Sequence, residues 1–286
     1  MSIREVLTSV RELCENNQIS RVDQELLLAH ILGVSRMELH ARELSLDTQQ
    51  EIEFNRLLRE RIDGIPVQYI TGEAPFRYLV FDVGPGVLIP RPESEALVDA
   101  VLSEINNRVS DAISIVDLGA GSGALAISIA HEAAHEAAPN SALKAARVHV
   151  VAVEKEAAAI SWLERNIARH EVDVRVVNAD VETALMGVRC DIVIANPPYI
   201  PIDSQLPVEV LREPSTALFG GSTGLDTPRR FIDCATRLLK PGGFLVLEHH
   251  ESQVKALEEI LISNYLEVEF HRDLNDRPRW LSARRK

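Results

Sequence analysis

Ile113-Ser114-Ile115-Val116-Asp117-Leu118-Gly119-Ala120-Gly121-Ser122-Gly123 is an apolar run that breaks into a turn carrying three glycines at alternate positions. A strand that passes through such a turn into a helix lets the backbone approach a ligand closely, because glycine takes left-handed φ freely and adds no side chain. The spacing is G-x-G-x-G, and Ala124 stands where a dinucleotide fingerprint would place its third glycine, which moves the reading away from NAD. The turn alone leaves the ligand open.

Working outward, strands and helices alternate on both sides of this turn. Pro92 suits the first turn of a helix running to about Asn106. Strands are expected at Ile113 to Asp117, Val148 to Glu154, Val174 to Val177, Asp191 to Ala195, Phe244 to Glu248, Leu266 to His271 and Trp280 to Ala283, with helices in the longer gaps. This pattern predicts an α/β fold: a Rossmann-like sheet of about seven strands, parallel in its first five and closed by an antiparallel hairpin. Ligands bind such sheets beyond the carboxyl ends of the strands, near the point where strand order reverses. Asp117, Glu154, Asp180 and Asn196 all lie at or just beyond predicted strand ends.

The first ~65 residues read differently. Ile3, Val6, Leu7, Val10, Leu13 and Cys14 recur at helical spacing, and Ser2 with Glu5 and Thr48 with Glu51 have capping-box spacing. A further helix, Val22 to Leu32, is expected to stop at Gly33. Gln68-Tyr69-Ile70-Thr71 and Val80-Phe81-Asp82-Val83 read as extended pieces separated by Gly and Pro. The expected division is a helical domain over residues 1–70, a β-hairpin connector over 71–91 and the α/β domain over 92–286.

The 286 residues include 46 % apolar and 26 % charged positions, an ordinary balance for a globular protein with a large core. A net charge of −13 argues against binding nucleic acid mainly through phosphate neutralisation, so no stable nucleic-acid complex is expected. Three dispersed cysteines, Cys14, Cys190 and Cys234, fit a reducing cytoplasm better than a disulfide framework. No apolar run approaches the ~18 residues that span a bilayer, so a cytoplasmic protein without a membrane partner is expected.

Asn196-Pro197-Pro198-Tyr199 follows the apolar strand that ends at Ala195. The prolines fix their own φ and restrict the residue before each, so the Asn196 carboxamide and the nearby carbonyls are held rigidly. An amide oxygen and a carbonyl could together accept both hydrogens of a planar NH2 group and aim its lone pair outward, which suits methyl transfer to an amide or amino nitrogen. Glu154, closing its strand, is placed to accept from ribose hydroxyls, and Asp180 from an adenine amino group.

Together these pieces resemble the class I S-adenosylmethionine-dependent methyltransferases. Within them the chain resembles the HemK-type release-factor glutamine methyltransferases, over nearly its whole length. The resemblance rests on Pro66 to Gly72, Val87 to Glu95, the glycine loop, Asn196 to Ile200, Glu213-Pro214 with Ala217-Leu218, Gly224-Leu225-Asp226, and Leu239 to Gly243. Ser94 stands where Thr is usual, Val181 where an aromatic can follow the acid, and His249-His250 where a Gly is common. The resemblance implies S-adenosyl-L-methionine as cofactor and peptide-chain release factors as substrates, methylated on the glutamine of their GGQ motif by a monomeric enzyme. By the same route, Asp117 and the loop Gly119, Ala120, Gly121, Ser122 and Gly123 would cradle the methionine part. Glu154 would hold the ribose, Asp180 and Val181 would flank the adenine with Asn196 close by, and Asn196, Pro197, Pro198 and Tyr199 would grip the glutamine and carry the chemistry. The alternative is an adenine-N6 methyltransferase acting on DNA or RNA, for which the same corner would suit a flipped base. A binding protein on a decayed methyltransferase fold is a third reading, which the intact loop, Glu154 and Asn196 oppose.

Other features are expected to be structural. His131-Glu132-Ala133-Ala134-His135 matches H-E-x-x-H, but it lies on the helix opened by the glycine loop, at an alanine-rich extension running toward Asn140, with its histidines facing solvent. Glu248-His249-His250 offers neighbouring strand residues that point to opposite faces, so no metal site is expected. The basic residues Arg277, Arg279, Arg284, Arg285 and Lys286 read as a solvated end. Pro201 to Pro228 has little periodicity and follows the Asn196 corner directly, which suits a substrate-facing loop.

Overall fold

The computed structural model describes residues 1–110, 112–136 and 147–286. The chain divides into two compact units, Met1–Glu73 with Leu206–Arg212, and Ala74–Gln205 with Glu213–Lys286.

The first unit is helical: α1 (Ile3–Ser9), α2 (Arg11–Asn16), α3 (Arg21–Leu32), α4 (Arg36–Ala41), α5 (Thr48–Ile62) and α6 (Val67–Thr71). Their apolar stripes meet in one core around the fully buried Leu27, Leu28, Phe54 and Leu58. The Ser2–Glu5 capping box forms as expected, and Gly33 closes α3 at φ 63. Two local expectations fail. The cap of α5 is Asp47, whose carboxylate accepts from Gln50 N at 2.8 Å, while Glu51 is taken by the N-terminal ammonium at 2.8 Å. Gln68 to Thr71, expected to be extended, is the single-turn helix α6, entered from Pro66 and closed by Gly72 at φ 78. A helix this short has no periodicity to read, and its end caps decide it. The segment Leu206–Arg212 is fixed within this unit: Arg61 bonds Asp23 at 2.8 Å and also Glu209, and Arg212 donates to the Asp63 carbonyl at 2.9 Å.

The second unit opens with a hairpin, β1 (Glu73–Phe76) and β2 (Leu79–Asp82). A 3-10 turn, Pro92–Ser94, then leads into α7 (Glu95–Asn107). There follow β3 (Ala112–Leu118), α8 (Ala124–Glu136), β4 (Arg147–Glu154), α9 (Ala157–His170), β5 (Val174–Asn178), β6 (Cys190–Ala195), α10 (Ser215–Leu218), α11 (Asp226–Leu238), β7 (Leu239–Glu248), α12 (Val254–Leu261), β8 (Tyr265–Arg272) and β9 (Pro278–Arg285). All seven expected strands are present, in the order β5-β4-β3-β6-β7-β9-β8. Pairing is parallel from β5 to β7, and β9 lies antiparallel between β7 and β8. The central strands are apolar on both faces, with Ile113, Ile115, Leu118, Ile192, Val193 and Ile194 fully buried, as a sheet covered by helices requires.

The chain winds outward from β3 through β4 to β5, then returns to the other side of β3 with β6. The reversal therefore falls between β3 and β6, where Leu118 pairs with Ala195. The residues that follow these partners are Gly119 and Asn196, so topology alone places the glycine loop and the Asn-Pro-Pro-Tyr corner at the crevice where such sheets bind ligands. Asn166 fastens this edge from α9. It accepts from Asp82 N at 2.7 Å and donates to the Asp82 and Ser122 carbonyls, both at 3.0 Å.

Candidate active site

A cavity of about 320 Å³ opens at this crevice. Among the residues singled out from sequence, Gly119, Ala120, Gly121, Ser122, Glu154, Asp180, Val181, Asn196 and Pro198 line it. Asp117, Gly123, Pro197 and Tyr199 do not line it. The remaining lining comes from Gly86 to Arg91, Ser94, Lys155, Ala217, Phe219 and Phe231, among others.

The glycine loop has the shape its composition demands, with φ of 69, 55 and 85 at Gly119, Gly121 and Gly123. A Cβ on Gly123 would come within 2.5 Å of Leu163, so this glycine also permits close packing of the loop on α9. Gly119 N and Ala120 N donate to the Val153 carbonyl at 2.8 and 3.0 Å, tying the loop to β4. Beneath the loop, Asp117 is fully buried and accepts from Ala126 N at 3.1 Å through Oδ2, while Oδ1 has no hydrogen-bond partner. Burial, opposed by that N–H and reinforced by the charge of Glu154, pushes its carboxyl up to about 7.

Glu154 is itself anchored. Oε2 accepts from Gly121 N at 2.9 Å, and Oε1 accepts from Lys155 N at 2.8 Å and Glu156 N at 3.0 Å. Each carboxylate oxygen has two lone pairs, so Oε2 retains one for a ligand hydroxyl. Asp180 accepts from Glu182 N at 2.9 Å and pairs with Lys155 at 3.2 Å. The Glu182 N–H, ahead of the Lys155 charge, holds its carboxyl below the usual range against partial burial.

The Asn196 corner carries a network that sequence reading missed. Asn196 Nδ2 donates to Ser94 Oγ at 3.1 Å, Ser94 Oγ donates to Glu248 Oε2 at 2.5 Å, and the Tyr199 hydroxyl donates to Glu248 Oε1 at 3.0 Å. Neither the Pro197 nor the Pro198 carbonyl accepts a hydrogen bond from a described residue. The Pro198 oxygen lies 2.4 Å from where a Cβ on Gly220 would sit, and the Tyr199 oxygen 2.1 Å from one on Gly224. Ser94 drew notice only as a departure from a family pattern, and Glu248 only as a neighbour of two histidines. Their burial, 4 % and 1 % exposed, was the signal, and it is visible only in the fold.

The loop from Pro201 to Pro228 is structured. Residues Leu206–Arg212 belong to the helical unit, and Pro214, Thr216, Ala217, Phe219 and Thr227 line the cavity. Glu213, 5 % exposed, accepts from Ile89 N at 2.9 Å and pairs with Arg91 on the cavity wall. The basic C-terminal residues are engaged rather than merely solvated. Arg284 makes a two-pronged bond to Glu104 at 2.6 and 2.7 Å, Arg279 pairs with Asp273 at 3.4 Å, and Arg285 donates to two backbone carbonyls. His131 is half-buried rather than solvent-facing, because α8 packs between α7 and α9. The His135 side chain and most of the alanine-rich extension lie outside the described residues. His249 is buried with Nδ1 against the His250 carbonyl at 2.8 Å. Among the described residues no group of three or more His, Cys, Asp or Glu is arranged to hold a metal, and no helix is long and apolar enough to cross a membrane.

Comparison with known proteins bears on both units. Residues 5–72 match the PrmC N-terminal domain, and residues 94–211 match the methyltransferase small domain. The chain is 37 % identical over 272 residues to a release factor glutamine methyltransferase of Streptomyces coelicolor, covering 93 % of this chain and 91 % of that protein. It is 33 % identical over 291 residues to one of Coxiella burnetii, covering 100 % and 99 %. Among solved structures, the 16S rRNA N2 G1207 methyltransferase of T. thermophilus, in complex with AdoMet and guanosine, superposes with a TM-score of 0.52 at 21 % identity. That match covers 75 % of this chain and 50 % of the other, and shows a shared methyltransferase fold.

Proposed function

The chain belongs to the release factor glutamine methyltransferase family, and on that premise we propose that it moves one methyl group from S-adenosylmethionine to the side-chain amide nitrogen of the glutamine in the GGQ motif of peptide-chain release factors. The observation that carries this reading is the pairing of Leu118 with Ala195, which sets a glycine loop and an Asn-Pro-Pro-Tyr corner side by side on one cavity.

The residues present fit the cofactor. At Gly121, with φ 55, a Cβ would meet only Val87 Cγ2 at 4.0 Å, an ordinary contact, so the loop backbone is not crowded from the cavity side. The lone pair remaining on Glu154 Oε2 suits a ribose hydroxyl, and Asp180 beside Val181 suits an adenine edge. Bound there, S-adenosylmethionine supplies an electrophilic sulfonium methyl.

The chain's own residues supply position. An amide nitrogen is a poor nucleophile because its lone pair is delocalised into the carbonyl. Asn196 Oδ1 accepting one N–H, and a proline carbonyl accepting the other, hold the nitrogen with its lone pair toward the cofactor. These bonds strengthen as the N–H groups become more acidic during transfer, so they stabilise the transition state more than the ground state. Alignment of this kind supplies roughly 7 to 11 kcal/mol in well-oriented systems. Tyr199, held by Glu248, stiffens the corner from behind, and after transfer the surplus proton leaves to water. We further infer that the helical unit docks the protein substrate and that the enzyme acts in the cytoplasm, where release factors work.

Incubating the protein with S-adenosylmethionine and a purified release factor, then sequencing the digest by tandem mass spectrometry, tests this reading. One added methyl on the GGQ glutamine side chain is expected. An unmodified glutamine together with a methylated adenine in an oligonucleotide control would replace it with the nucleic-acid alternative.

A further inference from the structure

The buried carboxylate of Glu248 receives two hydroxyl protons, one on each oxygen: Ser94 Oγ at 2.5 Å and the Tyr199 hydroxyl at 3.0 Å. A hydroxyl has one hydrogen. Once Ser94 gives its hydrogen to Glu248, Ser94 Oγ has only lone pairs left for Asn196, 3.1 Å away. An oxygen that can only accept requires an NH2 opposite it, so the Asn196 carboxamide must turn its nitrogen toward Ser94. The carbonyl oxygen is then the end of the amide left to meet the substrate nitrogen.

We propose that Glu248 and Ser94 are positioning residues that set the orientation of the Asn196 amide, and that Glu248 fixes the Tyr199 ring through its other oxygen. The inference rests on the proposed role of Asn196 in holding the glutamine amide. A flipped Asn196 would offer two N–H donors to a substrate NH2 that also needs acceptors, and the site would lose its acceptor. The carboxylate also polarises the chain. Charge on Glu248 strengthens the Ser94 hydrogen bond, Ser94 Oγ becomes a better acceptor for Asn196, and Asn196 Oδ1 becomes more electron-rich where substrate N–H groups gain acidity. Burial pushes the Glu248 carboxyl up, opposed by the Ser94 and Tyr199 hydroxyl donors and the charge of Arg279. Ser94 and Glu248 are 154 residues apart and meet only because the turn before α7 lies over the carboxyl end of β7.

Ser94→Ala, Ser94→Thr and Glu248→Gln test the relay. In Glu248→Gln the new amide can donate to Ser94, releasing the Ser94 hydrogen toward Asn196 and permitting the wrong orientation. The expected result is that Ser94→Ala and Glu248→Gln lower kcat by about 10- to 100-fold, the scale of outer-shell hydrogen-bond losses at preorganised sites. KM and Kd for S-adenosylmethionine should stay within about threefold, the split expected for an interaction made only in the transition state. Ser94→Thr keeps the hydroxyl and should recover most of the lost turnover. The orientation is read without turnover from the side-chain amide resonances of 15N-labelled Asn196, which should shift in Ser94→Ala and Glu248→Gln and hold in Ser94→Thr. Turnover of folded Ser94→Ala equal to wild type, or unmoved Asn196 resonances in it, would overturn the relay. A wild-type protein that leaves release factors unmethylated would instead overturn the functional reading, while the resonances would still decide the orientation.

Discussion

Gln253 donates from Nε2 to the Tyr199 carbonyl at 3.0 Å and, with its second hydrogen, to the Gly224 carbonyl at 2.9 Å. Its Oε1 accepts from His250 N at 3.0 Å, so one buried side chain joins the corner, the loop after it and the end of β7. Gln253→Leu keeps the approximate size and leaves two carbonyls and an N–H without partners. A loss of about 1–3 kcal/mol in unfolding free energy is expected by denaturant titration, with a fall in kcat from a loosened Tyr199.

Gly224 tests the same contact from the other side. Its φ is +74, and a Cβ there would lie 2.1 Å from the Tyr199 carbonyl oxygen, which is backbone and cannot swing away. Gly224→Ala must therefore displace the Asn-Pro-Pro-Tyr backbone. Turnover should fall by at least about tenfold, since small misplacements at a positioned site are costly. Calorimetry should find S-adenosylmethionine affinity nearly unchanged, because Gly224 does not line the cavity.

These contacts explain how far the sequence could be read. The strands were legible because their apolar runs are bounded by turn residues, and the strand-end acids and the glycine loop because chain order places them at one edge. The Gln68–Thr71 helix was not, since its caps outweigh any pattern in four residues. Nor were α4, six residues long, or the shift of the α5 cap to Asp47. The support of the corner was least legible. Ser94, Glu248 and Gln253 come from three distant segments, and their meaning lies in hydrogen bonds that no periodicity encodes.

Glu25 should give the helical unit an acid limb. It is 3 % exposed, and although burial opposes ionisation, hydrogen bonds from Arg36 at 2.8 Å, Arg21 at 2.9 Å and His40 at 3.3 Å bring its carboxyl down to about 2. A folded pKa below the unfolded value stabilises the folded state above the unfolded pKa, near ~4.3, and that stabilisation is lost as pH falls toward about 2. Because both arginines are about half exposed, the contribution is about 1–2 kcal/mol. Glu25→Gln should lower the melting midpoint at pH 7 and flatten its decline between about pH 5 and 2.

Asp117 should act with the opposite sign. Its folded pKa, raised to about 7 chiefly by burial, favours the folded state fully below the unfolded value, and that advantage fades as pH rises through about 7. Asp117→Asn cannot ionise. The melting midpoint of the variant relative to wild type should therefore climb from about pH 4 to 7 and level off above. A constant difference across that range would mean that Asp117 does not titrate there.

Turnover of a release factor by Asn196→Ala at saturating S-adenosylmethionine, measured beside cofactor binding by calorimetry, tests the role of Asn196 most directly. The prediction is a kcat loss of at least about 100-fold, the size seen when a preorganised hydrogen-bond partner of a transition state is removed, with cofactor affinity largely kept. Turnover equal to wild type would contradict the claim that this side chain holds the glutamine amide.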